Sequence, residues 1–350
     1  MNAEDRVVER LRALLPPSGS VLWGPGDDTA LIDRAAGLLA ATTDLLVEDV
    51  DFLPGEEPER LGRRAASVNL SDLAAVGATP EAFLLGIAFP PELGEEFPLA
   101  VARGAAARGE AFGARLVGGD LSAAPLTVVS VAMWGRPASP PLSRSGARPG
   151  DRVYLSGNTG EAAAGLRLAQ ILSAFSRQGS GPTRRFPEIS PEHQRRLLER
   201  YHDPDPRVGL GALLAAGGLA SAAIDVSDGL GIDAGRVARA SGVRLVLEAD
   251  RVPISAPLRA FAAMADQDAL ELALSGGDDY ELLFTVPEER VDALERAVSG
   301  SEPAVTRIGV VQPGSGAGLK GPKGEREIGS LGHDHLGTAS AASRDEEPSA

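Results

Sequence analysis

The chain has 350 residues, 43% hydrophobic and 24% charged, which suits two globular domains better than one core or a disordered polymer. A formal net charge of −15 argues against a surface built for nucleic acid or an anionic membrane. No cysteine is present, so disulfides, zinc–thiolate sites and thiol nucleophiles are excluded.

The opening stretch MNAEDRVVERLRALL reads as a charged amphipathic helix and not a signal peptide. No apolar run approaches the ~20 residues that span a bilayer, so a cytoplasmic protein is expected. TALIDRAAGLLAATTDLLV predicts two strands joined by a turn around Asp33–Gly37. PERLGRRAASVNLSDLAAVGA has helical spacing, with Leu61, Ala65, Val68 and Leu73 on or near one face. AFLLGIAFP returns as a strand, EEFPLAVARGAAARGEAFGA as an alanine-rich helix, and RLVGGDL and LTVVSVAMWG as strands. This alternation predicts a layered α/β domain over residues 1–148, ending near RSGARPGD.

A second α/β domain is expected over 149–336. DRVYLSGNTGEAAAGLRLAQIL predicts a strand, a glycine turn and a helix, and SAFSRQGSGPTRRFPEIS a polar surface loop. The strand SAAIDVS, a helix through GIDAGRVARAS and the strand VRLVLEA follow. YELLFTVP, EERVDALERAVS and VTRIGVV read as strand, helix and strand, and GSGAGLKGPKG as a loose loop. Residues 337–350 are polar enough to predict a disordered tail. The histidines at 193, 202, 333 and 335 sit in polar, loop-like settings that favour surface roles.

Six short stretches share one feature: GPGDDTALI, ATTDLLV, NLSDLAAVGA, VGGDLS, AIDVSDGLG and LSGGDDYELL each place Asp beside Gly, Ser or Thr at the edge of an apolar segment. Singly, such an Asp is an ordinary cap or turn residue. Converging together, they would repel: two carboxylates ~4 Å apart cost about 4 kcal/mol at an effective dielectric near 20. Bound cations or protonation must offset that repulsion. Oxygen donors without cysteine select a hard ion, Mg²⁺ or Mn²⁺, and Mg²⁺ held by carboxylates keeps positions open for phosphate oxygens. Neither a G-x-x-x-x-G-K-[ST] loop nor a strand–G-x-G-x-x-G–helix turn is present. Phosphates must then be held by metals, by arginines such as Arg144, and by backbone amides at sites such as Gly118–Gly119.

In order and spacing, GDDTALI, TTDLLVEDVDF, AASVNLSDLAAVGA, VGGD, RSGARPGD, AIDVSDGL and LSGGDDYELLFTVP resemble the thiamine-monophosphate kinase family of the aminoimidazole-ribonucleotide-synthetase-like superfamily. The resemblance runs from Gly24 to Gly337. It implies a two-domain fold, an N-terminal domain that binds metal and ATP and pairs into a homodimer, and a cleft between the domains. It also implies direct transfer of a phosphoryl group from ATP to thiamine monophosphate, assisted by several Mg²⁺ ions and without a general base. Carried over by position, the metal ligands are Asp28, Thr42, Thr43, Asp44, Asp72, Asp120, Asp225 and Asp228. The ATP contacts are Gly119, Asp120, Arg144 and Ser227, and the substrate contacts are Asp51, Asp278 and His333.

Departures fall mostly on the acceptor side. Asp51 replaces a usual His, His333 an aromatic, and Asp278 a frequent Glu, while GGDTT is here GGDLS. Two other readings keep part of the site: a related ATP- and Mg²⁺-dependent enzyme with another phosphorylated acceptor, and a non-catalytic nucleotide-binding relative. Retention of every metal-ligand position argues against the latter. The absent cysteine argues against the selenophosphate-synthetase and hydrogenase-maturation branches.

Overall fold

Two sheets organise the chain, and the computed structural model describes residues 3–14, 19–23, 26–35, 37–177 and 189–334. The first half runs α1 (Ala3–Leu14), β1 (Val21–Trp23), β2 (Ala30–Arg34), β3 (Gly37–Val47), α2 (Pro58–Ala75), β4 (Ala78–Phe89), α3 (Glu96–Ala111), β5 (Arg115–Ala123) and β6 (Val128–Pro137). Its sheet has the order β1-β2-β3-β6-β4-β5, antiparallel except for the parallel pair β4/β5. The second half begins with β7 (Arg152–Ser156), α4 (Glu161–Arg177), α5 (Pro191–His202), α6 (Val208–Ala216) and β8 (Ala222–Val226). It continues through α7 (Leu230–Ser241), β9 (Arg244–Glu248), α8 (Ala256–Met264), α9 (Ala269–Ser275), β10 (Glu281–Val286), α10 (Val291–Ala297), β11 (Val305–Gln312), β12 (Gly316–Gly321) and β13 (Gly324–Glu327). The order of that sheet is β13-β12-β9-β11-β7-β10-β8.

Helix α2 sits at the centre of the architecture, touching both sheets. Pro58 sits in its first turn and Glu57 caps it, accepting from the amides of Glu59 and Arg60. Leu61, Ala65, Val68 and Leu73 are all buried, as the spacing predicts, but so are Arg64, Asn69 and Ser71 on its other sides. A helix buried on most sides has partners on most sides: α2 packs on α3, β3, β6 and α6, and reaches β8 and β10 of the second sheet. Small residues permit that crowding. A Cβ on Gly62 would meet the Val101 carbonyl oxygen at 1.9 Å, and one on Gly104 the Glu59 carbonyl oxygen at 1.8 Å.

The strands β7, β8 and β10 of the second sheet are buried on both faces, so they read as largely apolar runs. Tyr154, Ala223, Leu282 and Phe284 join the core shared with the first half. Val153, Leu155, Ile224, Val226 and Leu283 face the other way, into a core with α4, α7 and α8. The two halves therefore meet through packed side chains.

Three expectations need correction. GSGAGLKGPKG is not a loose loop: it forms β12 and the turn into β13, because β12 gains a parallel partner in β9 and Arg244 bonds Glu325 at 2.8 Å and Glu327 at 2.5 Å. The polar segment 173–190 is helical through Arg177, and Ile189 at its end is 1% exposed, within the second core. His193 and His202 belong to α5, and His202 Nδ1 lies 2.9 Å from Glu56 Oε2, both side chains being largely buried. Residues 178–188, His335 and the tail at 337–350 lie outside the described residues.

Candidate active site

Asp28 lies between β1 and β2, Asp72 in the last turns of α2, and Asp225 near the end of β8. These three carboxylates come from distant parts of the chain, yet each offers an oxygen within 4.8 Å of the others. Burial, then the charges of Asp44, Asp225 and Asp28, hold the Asp72 carboxyl well above its ordinary range. Burial and then Asp28 raise Asp225 in the same way, and Asp27 is pushed up to about 6 by burial and then Asp28. Thr42 donates its hydroxyl to Asp72 Oδ2, and Ser71 donates to Asp225 Oδ2 at 2.7 Å. Asp28 Oδ1 accepts from Arg144 Nε at 3.0 Å and Nη2 at 2.5 Å, whereas Asp28 Oδ2 is buried with no hydrogen-bond partner among the described residues.

This donor set fits a hard divalent cation. It is all oxygen, strongly self-repelling without a positive charge, and includes a buried carboxylate oxygen left unsatisfied. Asp28, Thr42, Asp44, Asp72 and Asp225 form the group that could hold one, with Arg144 at its edge.

Other expected residues fall beside that group. Asp228 begins the turn into α7, where its Oδ2 accepts from Arg236 Nη1 at 2.5 Å. The Ser227 carbonyl accepts from the Asp278 amide at 2.7 Å, and the Asp228 carbonyl accepts from the His333 amide at 2.8 Å, so these positions adjoin one another. Asp51 Oδ2 accepts from the Val47 amide at 2.8 Å and closes the turn after β3.

Asp120 and Thr43 are not in the cluster. Asp44, Val131, Leu85 and Gly119 form one cross-strand row, on the face covered by α2. Asp120 is one residue further on, so it points to the opposite, uncovered face, as does Thr43. Its strand is also three strands from β3, roughly 14 Å at the usual inter-strand spacing. Gly119 has a structural reason of its own: a Cβ there would meet the Leu85 carbonyl oxygen at 1.8 Å. Beside Gly119 and Asp120, a groove of ≈ 830 Å³ opens between β5 and α3, lined by Leu85, Ile87, Pro98, Leu99 and Leu121.

Sequence reasoning missed several participants. Ser71 and Arg64 act on acids 154 and 214 residues away, a relationship no local pattern reveals. Asp233 accepts from the amides of Asp228 and Gly229 at 3.2 Å each and from Arg236 at 2.8 Å, and it could have been sought as an acid in the first turn of α7. In the DDYEL motif, Asp279 accepts from the Gly160 and Ala162 amides at the start of α4, and Glu281 is buried against Arg200 and Arg207.

Residues 26–136 match the AIR synthase related protein N-terminal domain, and residues 148–321 match the corresponding C-terminal domain. The thiamine-monophosphate kinase of Salmonella typhimurium is 38% identical over 82% of this chain and 83% of its own. The solved structure of AaThiL complexed with AMPPCP and TMP is 30% identical, superposes with a TM-score of 0.81, and covers 95% of this chain and 97% of its own. Thiamine-monophosphate kinase from Stenotrophomonas maltophilia K279a is 36% identical with a TM-score of 0.72, over 93% of this chain and 98% of its own. The two-domain fold and these relationships place the chain in the thiamine-monophosphate kinase family of AIR synthase related proteins.

Proposed function

We propose that the protein transfers the γ-phosphoryl group of ATP directly to the phosphate of thiamine monophosphate, giving thiamine diphosphate. The observation that carries this reading is the Asp28–Asp72–Asp225 cluster, whose repulsion and all-oxygen donors call for cations of the kind that accompany phosphates. Asp28, Thr42, Asp44, Asp72, Asp225 and, next to them, Asp228 would hold Mg²⁺. Bound there, Mg²⁺ neutralises the facing phosphates and so lowers the cost of bringing them together. Arg144, now paired with Asp28, supplies a guanidinium that phosphate oxygens can share. The attacking phosphate oxygen is largely anionic near neutral pH, so no side chain need remove a proton. Positioning and charge neutralisation carry the catalysis. Ser227 borders the nucleotide, and Asp51, Asp278 and His333 border the acceptor.

The placement of Asp120 supports a homodimer. Leu45 (56% exposed), Leu84 (43% exposed), Thr43 and Asp120 share an uncovered sheet face, an apolar surface that a second copy would bury. Face-to-face pairing would bring the partner's Asp120 to the Thr43 side of the cluster, completing a metal and ATP site that one chain leaves open. The apolar groove between β5 and α3, beside Gly119, suits the purine ring. No helix among the described residues is long and apolar enough to cross a membrane, and use of ATP and Mg²⁺ fits a cytoplasmic setting. The test is formation of thiamine diphosphate itself by the purified protein with ATP and Mg²⁺, since ADP release alone would also report idle hydrolysis.

A further inference from the structure

Arg64 and Ser71 stand seven residues apart on α2, two turns along one side, and each grips an acid of the second domain. Ser71 holds Asp225 in the metal cluster. Arg64 holds Asp278: its side chain is 3% exposed, Nη2 donates to Asp278 Oδ2 at 2.9 Å, and Nη1 donates to the Tyr201 carbonyl at 3.0 Å. The guanidinium also lies over the Tyr201 ring, 4.6 Å from its centroid. On the other side, the Tyr280 hydroxyl donates to Asp278 Oδ1 at 2.9 Å. Burial and then Asp278 push the Tyr280 phenol well above its ordinary value, so it stays protonated, and the Asp44 charge acts on it as well.

The main chain is fixed with equal care. Asp278 and Tyr280 have φ of 67° and 52°, left-handed conformations that cost non-glycine residues on the order of 1 kcal/mol or more. Backbone amides of Asp278 and Tyr280 donate to the carbonyls of Ser227 (2.7 Å) and Val226 (2.8 Å), tying this strained turn to the segment bearing Asp225 and Asp228. Yet the Asp278 side chain remains 34% exposed. A carboxylate locked at both oxygens, on a strained turn, with one edge left open to solvent, is arranged to meet a ligand.

We propose that Arg64 and Tyr280 are positioning residues for the acceptor: together they aim the open edge of Asp278 at an N–H donor on the aromatic ring of a phosphorylated substrate. Arg64 also offsets the Asp278 charge that would repel the acceptor's phosphate. Because α2 anchors Asp278 through Arg64 and the metal cluster through Ser71 and Asp72, its rigid rise sets the distance between acceptor and cations. This inference rests on the phosphotransfer reading above.

The test is steady-state kinetics of the full chain, varying thiamine monophosphate at saturating ATP and Mg²⁺ and then the converse, for the wild type, Tyr280→Phe and Arg64→Lys. Tyr280→Phe removes one hydrogen bond and keeps the ring. It should raise KM for thiamine monophosphate about tenfold, a loss of about 1.4 kcal/mol, with kcat within about twofold and KM for ATP unchanged. Arg64→Lys keeps the charge without the planar paired donors and should raise the same KM about threefold. A merely structural staple would instead lower the active fraction, so kcat would fall with both KM values unchanged, and that result would overturn the proposal. So would KM values for acceptor and ATP that rise together. A wild type that turns over thiamine monophosphate while both variants keep its acceptor KM refutes the clamp alone. A wild type with no such turnover refutes the underlying reading and the clamp with it.

Discussion

Ser71 donates its hydroxyl to Asp225 Oδ2 at 2.7 Å, joining α2 of the first domain to the end of β8 in the second at the edge of the carboxylate cluster. The residue after Ser71 is Asp72, so one helix turn both supplies an acid of the cluster and aims another. Ser71→Ala leaves a buried carboxylate oxygen without its donor, a loss on the order of 1–3 kcal/mol. The expected outcome is a roughly tenfold fall in kcat at fixed Mg²⁺ and a lower urea midpoint. Parallel kinetic and denaturation measurements check it, and a variant unchanged in both would show that Ser71 does not orient Asp225.

Asp72→Asn separates function from stability. Asp72 is held far above its ordinary range by burial and by three neighbouring acids, so removing its charge relieves repulsion in the metal-free protein. Turnover should disappear while the metal-free melting temperature holds steady or rises. Calorimetry with and without Mg²⁺ reads both sides: the wild type should gain stability on adding the ion, and the variant much less.

Acid dependence has a definite sign. Burial, against the opposing pull of Arg200, puts Asp279 at about 7, and burial, against Arg236, puts Asp233 at about 7, both above the ordinary 3.8. The folded state therefore holds protons that the unfolded chain has released. Their stabilisation is complete below pH ~4 and is lost as the pH rises toward 7. Global stability from these groups should fall across that window, and Asp279→Asn should flatten the slope by about one proton. Urea midpoints taken from pH 4 to pH 8 provide the check; a slope that Asp279→Asn leaves unchanged would remove Asp279 from this role.

Subunit mixing tests where Asp120 acts. Asp120→Asn and Asp72→Asn proteins should each be inactive alone. If Asp120 serves the partner's cluster, half of randomly re-formed dimers carry one intact site of two, and about a quarter of wild-type activity returns. No recovery after confirmed exchange would mean that each chain uses its own Asp120.

The clustered acids stood out in the sequence because each lies close to Gly, Ser, Thr or a second Asp next to a strongly patterned apolar stretch. Asp44 lies within β3 and Asp72 in the last turns of α2, and only the family resemblance, not the alternation or the helical spacing, groups them in one site. The side on which Asp120 lies was not legible. Facing is decided by a one-residue parity, and β4 and β5 change register at Phe83/Leu84. The strand β12 was hidden by its glycines, since only its partner β9 makes Gly316–Gly321 extended. Arg64 is one of three arginines in α2, and its meaning depends on a contact with a residue 214 positions away. Asp228 was read as a metal ligand alone; its Arg236 partner, eight residues on, became visible only when α7 was seen to fold back over the turn.

The measurement that bears most directly on the central claim is thiamine diphosphate formation from thiamine monophosphate and ATP, followed as product, for the wild type and Asp72→Asn across a Mg²⁺ titration. The expected result is Mg²⁺-dependent product from the wild type and none from Asp72→Asn. ADP without thiamine diphosphate, or product from Asp72→Asn at the wild-type rate, would contradict phosphoryl transfer to thiamine monophosphate at this carboxylate cluster.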